Sequence, residues 1–237
     1  MPSLKDKTVL VIGRGSGIAR AIVMIVSEAG GRIIVAGRSQ ENLAAAYRGM
    51  DIGVEYIDVT DESCIAALAA RIAPLDHVVC TASARARGGY ADLSANVVNA
   101  SFGTKVTGPL LLAKHFAGHL PPDGSFLFMS GATALKPAPG MLAVAATNAA
   151  VDAITAGLAV ELAPIRVNAI APGTIDTGAY DALGDERKAA LFRARSAANP
   201  ARRIGTADDI AAIALAVLTS GFLTGAAIPV DGGEHLV

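Results

Sequence analysis

The chain has little of what several classes of protein require. Cysteine occurs only at Cys64 and Cys80, in no metal-binding or redox spacing, so each is read as a small buried hydrophobe. Charged residues make up 17% and the formal net charge is −1, which offers no general attraction to nucleic acid or to an anionic membrane. The start, Met1 to Lys7, has no apolar leader, and apolar stretches such as 210–218 are too short to span a bilayer. Linkers, low-complexity runs and internal repeats are missing. The 237 residues are therefore read as one domain, 1–237, in a cytoplasmic setting. What is abundant is apolar: hydrophobic residues make up 52%, enough for a substantial core.

The apolar residues fall into short β-branched runs that alternate with helix-like segments. Val9–Ile12, 32–36, Val54–Asp58, His77–Cys80, Ser125–Met129, 166–170 and Ala227–Val230 read as strands. Helices are expected at 18–29, 40–48, 61–72, 142–162 and 207–218. Ser39 and Thr60 are placed to cap the second and third of these, and Pro74 to stop the third. Residues 93–119 read as two helices, or as one broken near Gly103, and 172–199 as a loop with a polar helical insert. Such alternation predicts an α/β fold, a doubly wound parallel sheet of about seven strands with helices on both faces. The loops at Gly13, Gly37, Asp58, Thr81, Ser130 and Pro172 would then line one crevice at the strand carboxyl ends.

The first of these loops carries the clearest chemistry. Gly13, Arg14, Gly15, Ser16, Gly17 and Ile18 join a strand to a helix. Glycines there let the backbone approach a pyrophosphate, and free N–H groups at the helix start favour its charge. The spacing G-x-x-x-G-x-A, at Gly13, Gly17 and Ala19, resembles that of the short-chain dehydrogenase/reductase family. So do Asp58-Val59 after the third strand, the run Arg166-Val-Asn-Ala-Ile-Ala-Pro-Gly-Thr-Ile-Asp-Thr177, and the C-terminal stretches 203–210 and 224–233. The resemblance covers nearly the whole chain and implies a Rossmann-like domain that binds a nicotinamide dinucleotide. It would place Asp58 at the adenine, Val59, Thr81, Ala82, Pro172 and Gly173 beside the cofactor, the Ile175 backbone at the carboxamide, and Thr177 on the cofactor as well. The residues after the second strand are Gly37 and Arg38. No carboxylate stands there to hold ribose hydroxyls, and Arg38, with Arg14, suits a 2′-phosphate, so NADP(H) is expected in preference to NAD(H).

The proton-handling residues of that family do not carry over. Its Tyr falls at Val144, the Lys four places on at Asn148, the Ser at Gly131 beside Ser130, and the Asn of an earlier helix at Lys105. None of Tyr47, Tyr56, Tyr90 and Tyr180 has Lys four places later. A phenol needs a neighbouring cation to act near neutrality, and valine moves no proton. Lys105 and Asn148 look exchanged. If they converge, Lys105 supplies a cation, Asn148 bonds a ribose hydroxyl, and Ser130 or Thr147 supplies a hydroxyl. The expected function is an oxidoreductase acting on a small carbonyl, imine or enone. A cofactor-binding protein without turnover and a lyase or isomerase on the same fold stay as alternatives. Arg85 and Arg87 read either as receivers of an anionic small-molecule substrate or as charges on a solvated loop. His115 and His119, four apart, lack a third metal ligand and read as capping or interface residues. The small residues of 142–162 suit either the sheet or a second subunit of a homodimer or homotetramer.

Overall fold

A computed structural model of the chain describes residues 3–72 and 74–237. Met1 and Pro2, part of the start read above as lacking a leader, lie outside the described residues. Seven strands form one parallel sheet: β1 Thr8–Ile12, β2 Arg32–Gly37, β3 Gly53–Tyr56, β4 His77–Cys80, β5 Ser125–Met129, β6 Arg166–Pro172 and β7 Ala227–Val230. Their order is β3-β2-β1-β4-β5-β6-β7, with β1 and β4 paired in register from Val9↔His77 to Ile12↔Cys80. The order reverses at β1/β4, so the crevice outside their carboxyl ends is where a ligand enters such a sheet.

Both faces of the sheet are covered because its strands are apolar on both. Val9 and Val11 of β1 pack with helices α1 Gly17–Glu28, α2 Gln40–Ala46 and α8 Ala207–Thr219. Leu10 and Ile12, their neighbours in sequence, point the other way, into a cluster with α3 Glu62–Ile72, α5 Gly108–Phe116 and α6 Leu142–Glu161. Period-two alternation thus feeds two cores from each strand. This is the single doubly wound domain that the sequence predicts.

The structure changes several local expectations. The third strand ends at Tyr56 and not at Asp58. The Asp58 carboxylate instead turns back to accept the Thr60 N–H (2.9 Å) and hydroxyl (2.7 Å), which takes Thr60 out of capping. Asp61 does that work, accepting N–H bonds from Ser63 (2.9 Å) and Cys64 (3.2 Å). Cys64 is only partly buried, and its sulfur accepts the Asp58 N–H at 3.3 Å. The helix expected to break near Gly103 runs on: α4 Ala95–Phe102 continues through a π turn, Gly103–Thr107, into α5. The insert holds α7, Asp185–Ala198, and is bracketed by a two-residue strand pair, Ile175–Asp176 with Gly205–Thr206. Among the described residues one helix, α6, is long and apolar enough to cross a membrane, where the sequence reading found only shorter apolar stretches. Its Ala143, Val144, Ala145, Thr147, Asn148, Val151 and Thr155 are buried, and it lies against β6.

Candidate functional site

Two cavities adjoin at the carboxyl ends of β1 and β4, sharing Thr81 and Ser83. The larger, about 740 Å³, is lined by Gly13, Arg14 and Ser16 of the first loop, by Arg38 after β2, by Asp58 and Val59 after β3, and by Thr81 and Ala82 after β4. The smaller, about 390 Å³, is lined by Ile18, Lys105, Ser130, Gly131, Val144 and Asn148, and by Pro172, Gly173, Ile175 and Thr177 after β6. Arg85 and Arg87 stand on its rim.

The larger cavity fits a dinucleotide on the structure's own terms. Helix α1 begins there without a side-chain cap at Ser16 and without an acid in its first turn. Three other helices differ: Ser39 and Glu41 serve α2, Asp61 and Glu62 serve α3, and a capping box of Thr206 and Asp209 starts α8. The N–H groups opening α1 are thus left for an anion. A Cβ on Gly37 would lie 2.6 Å from the Gly13 carbonyl oxygen, so the end of β2 admits no acidic side chain at that position. Gly17, not itself a wall of either cavity, has φ +57° and abuts Thr177, which brings the loop after β6 onto the glycine turn. Among the described residues, Arg14 and Arg38 form no ion pair.

The floor of the smaller cavity is a buried polar cluster. Lys105 sits in the middle of the π turn, a form of helix that recurs at functional sites. Only 6% of the residue is exposed. Its ammonium donates to the Asn148 side-chain oxygen and, at 3.3 Å, to the Ser130 carbonyl. The Asn148 amide donates in turn to Thr133 Oγ1 at 2.7 Å, and the Ser130 hydroxyl donates to the Asn148 backbone carbonyl at 3.1 Å. A Cβ on Gly131 would lie 2.6 Å from Asn148 Nδ2, so glycine is what makes room for this amide. Burial, helped by the charge of Arg85, holds the Lys105 pKa at about 8. Burial likewise pushes the Cys80 thiol to about 11, which makes it inert packing under the cluster. Lys105 and Asn148 therefore do converge. Thr147 does not join them, because its hydroxyl donates to the Val144 carbonyl at 3.0 Å.

Sequence reasoning missed several neighbours. Asp152, one turn beyond Asn148, has a buried oxygen without a partner among the described residues. Burial raises its pKa, while the Ser130 hydroxyl and the Lys105 charge pull it down. The spacing of Asn148 and Asp152 on a mostly apolar helix was the available signal. Thr133, Lys136, Tyr180, Arg195 and Glu234 also line the smaller cavity. Glu234 arrives from the C-terminus and accepts from the Thr174 N–H (2.7 Å), the Thr174 hydroxyl (3.0 Å) and Arg195 (2.5 Å). His115 lies elsewhere, 3.0 Å from Glu62 of α3, which Lys114 also reaches at 2.6 Å.

Sheet order, glycine turn and paired cavities define a Rossmann-like α/β protein built to hold a dinucleotide. A family model described as enoyl-(acyl carrier protein) reductase matches residues 12–235. The chain is 30% identical over 254 residues to the short-chain dehydrogenase/reductase ucsE of an Acremonium species, covering 98% of this chain and 96% of that protein. Among solved structures it resembles a small-chain dehydrogenase in complex with NADPH, with 30% identity, TM-score 0.83, and 98% and 99% of the two chains covered. It also resembles the MalC reductase/Diels-Alderase of Malbranchea aurantiaca, with 28% identity, TM-score 0.89, and 99% and 98% covered. The chain belongs to the short-chain dehydrogenase/reductase family, a family of oxidoreductases that use a nicotinamide cofactor.

Proposed function

We propose that the chain is an NADP(H)-dependent reductase of a small carbonyl, imine or enone, with Lys105 as the charged group at the reacting end. The observation that carries this is a buried ammonium on the floor of a cavity continuous with the dinucleotide cradle. The α1 N-terminus would hold the pyrophosphate, Asp58 and Val59 the adenine end, and Arg14 and Arg38 a 2′-phosphate. When bound, the nicotinamide cofactor would supply hydride chemistry at this site. Hydride arrival at a C=O or conjugated C=C leaves negative charge on the substrate. Lys105 holds a proton at Nζ to meet that charge, with Asn148 and Ser130 fixing its direction. A substrate that is already cationic, an iminium, needs the hydride alone. In this reading Val144 and Gly131 occupy the family's Tyr and Ser positions, and the Lys105–Asn148 pair replaces them as a unit.

A second reading has a specific support. Val144 carries no proton and the cluster holds no phenol, so the pocket could serve a non-redox rearrangement, or binding alone. One solved relative is itself described as both a reductase and a Diels-Alderase. The test is a titration with NADPH and NADH, then NADPH absorbance across carbonyl, imine and enone panels. NADPH is expected to bind roughly tenfold or more tighter than NADH, with Arg38→Glu reversing the order. Lys105→Met is expected to lower NADPH oxidation by about 10²–10⁴ on a carbonyl or enone, and far less on an iminium. Tight NADPH binding with no oxidation across the panel moves the assignment to the second reading. Failure of both nucleotides to bind removes the first.

A further inference from the structure

The smaller cavity has a charge that the chain as a whole lacks. Its walls carry five cationic side chains, Arg85, Arg87, Lys105, Lys136 and Arg195, against one carboxylate, Glu234. The whole protein has a net charge of −1, so this is not the local share of a basic surface. Arg195 and Glu234 neutralise each other at 2.5 Å, and two bonds from Thr174 complete the Glu234 carboxylate. Arg85, Arg87 and Lys136 form no ion pair among the described residues.

These three cations come from two segments, the loop after β4 and the turn after β5, and line the same cavity at exposed positions, while Lys105 lies buried. Arg87 is held in place, its guanidinium 5.8 Å over the ring of Tyr180, which itself packs edge-on against Phe192 of α7. Like charges gathered without counter-charges repel, and the charge of Arg85 adds to burial in lowering the Lys105 pKa. A bound oxyanion would relieve that repulsion. The cofactor's phosphates would have partners of their own in the other cavity, Arg14, Arg38 and the α1 N-terminus.

We propose that the substrate carries an oxyanion, a carboxylate or phosphate ester, seated on Arg85, Arg87 and Lys136 at the rim with its reacting group directed toward Lys105. The proposal rests on the smaller cavity being the substrate site. It adds that recognition is electrostatic at one end and chemical at the other.

Calorimetry with benzoate, phenyl phosphate and benzamide tests it, on the protein alone and saturated with NADP⁺. One or both anions are expected to bind roughly tenfold or more tighter than neutral benzamide, and to weaken as salt rises. Whichever anion is tighter identifies the headgroup. Arg85→Gln with Arg87→Gln should bring that anion down to the benzamide level while NADPH affinity changes less than about twofold. Lys136→Gln, a single exposed change, should give part of the same loss. Equal binding of anions and benzamide overturns the proposal. So does a preference that survives the arginine changes, or displacement of the anion by NADPH. Arginine-dependent anion binding by a protein that fails to bind NADPH would remove the proposed reductase function and leave this inference standing.

Discussion

Lys105 is expensive to keep where it stands. Its ordinary pKa is 10.5, and burial brings it to about 8, so protonating it inside the fold costs about 3 kcal/mol relative to the unfolded chain. The sign follows from proton counts. Between pH 8 and 10.5 the unfolded state holds the proton and the folded state has lost it, so this residue's contribution to stability rises with pH across that window. In Lys105→Met the rise should vanish. The gap in unfolding free energy between variant and wild type should then close by up to about 3 kcal/mol from pH 7 to pH 10, measured by urea denaturation. Turnover of a neutral carbonyl should move oppositely, falling as pH passes about 8 and the ammonium is lost. Gly131 and Asn148 make a second test. A methyl at Gly131 would meet the Asn148 amide at 2.6 Å, so Gly131→Ala should cost about 1–3 kcal/mol. In Asn148→Ala the same change should cost much less, and a coupling energy near zero in this double-mutant cycle would show that the two positions are not packed as a unit. At this scale the sequence was legible only in part. Lys105 and Asn148 were visible as an exchange against a family pattern. The reason for Gly131 was not, because a steric contact between a β5 loop and the middle of α6 leaves no local pattern.

Among the elements, α1 opens at the larger cavity with neither a capping side chain nor an acid in its first turn. Ser16 occupies its N-cap with extended backbone, φ −149° and ψ 168°, but makes no capping bond. An aspartate there would supply both a cap and a negative charge at the positive end of the helix. Ser16→Asp should therefore stabilise the free protein by about 0.5–1 kcal/mol, about 2–4 °C per kcal/mol in Tm for a domain of this size. The same change should weaken NADPH binding roughly tenfold or more, because the carboxylate occupies the donors and repels the pyrophosphate. A variant that gains stability and keeps its NADPH affinity would dissociate this helix from the phosphates. The alternation of strands and helices that builds the cradle was readable from hydrophobic runs and glycine turns. Two features were not. Choosing Asp61 over Thr60 as the cap depends on the Asp58 carboxylate capturing Thr60, a competition between adjacent polar residues. The π turn around Lys105 reads in sequence as a break at Gly103, since one extra residue in a turn disturbs periodicity much as a loop does.

On the scale of the whole molecule, α6 ties the site to the surface. Its inner side carries Asn148 and Asp152 into the polar cluster, and its outer side has no charge for most of its length. Leu142 is 59% exposed at one end and Val160 79% at the other, with Ala146, Ala149, Ala153, Ala156 and Gly157 exposed between them. The sequence reading left open whether these small residues face the sheet or a second subunit. The interior of the protein buries a different set, Ala143, Val144, Ala145, Val151 and Thr155 among them, so the outer stripe remains available. Small residues let two helices approach to the short end of the usual 8–10 Å spacing, and a stripe that meets its own copy across a two-fold axis gives a closed dimer. The chain should therefore sediment at twice its 23.9 kDa mass, or four times if a second face also pairs. Ala153→Glu places a charge midway along the stripe, at an exposed helical position where glutamate costs the monomer only a few tenths of a kcal/mol. It should shift the protein to 23.9 kDa with little change in monomer stability. Because the same helix carries Asn148, dissociation should also loosen the floor of the cavity, so turnover per chain should fall on dilution of the wild type. Sedimentation of the wild type at 23.9 kDa at micromolar concentration would end this expectation and leave the Lys105–Asn148 pair supported by a single chain.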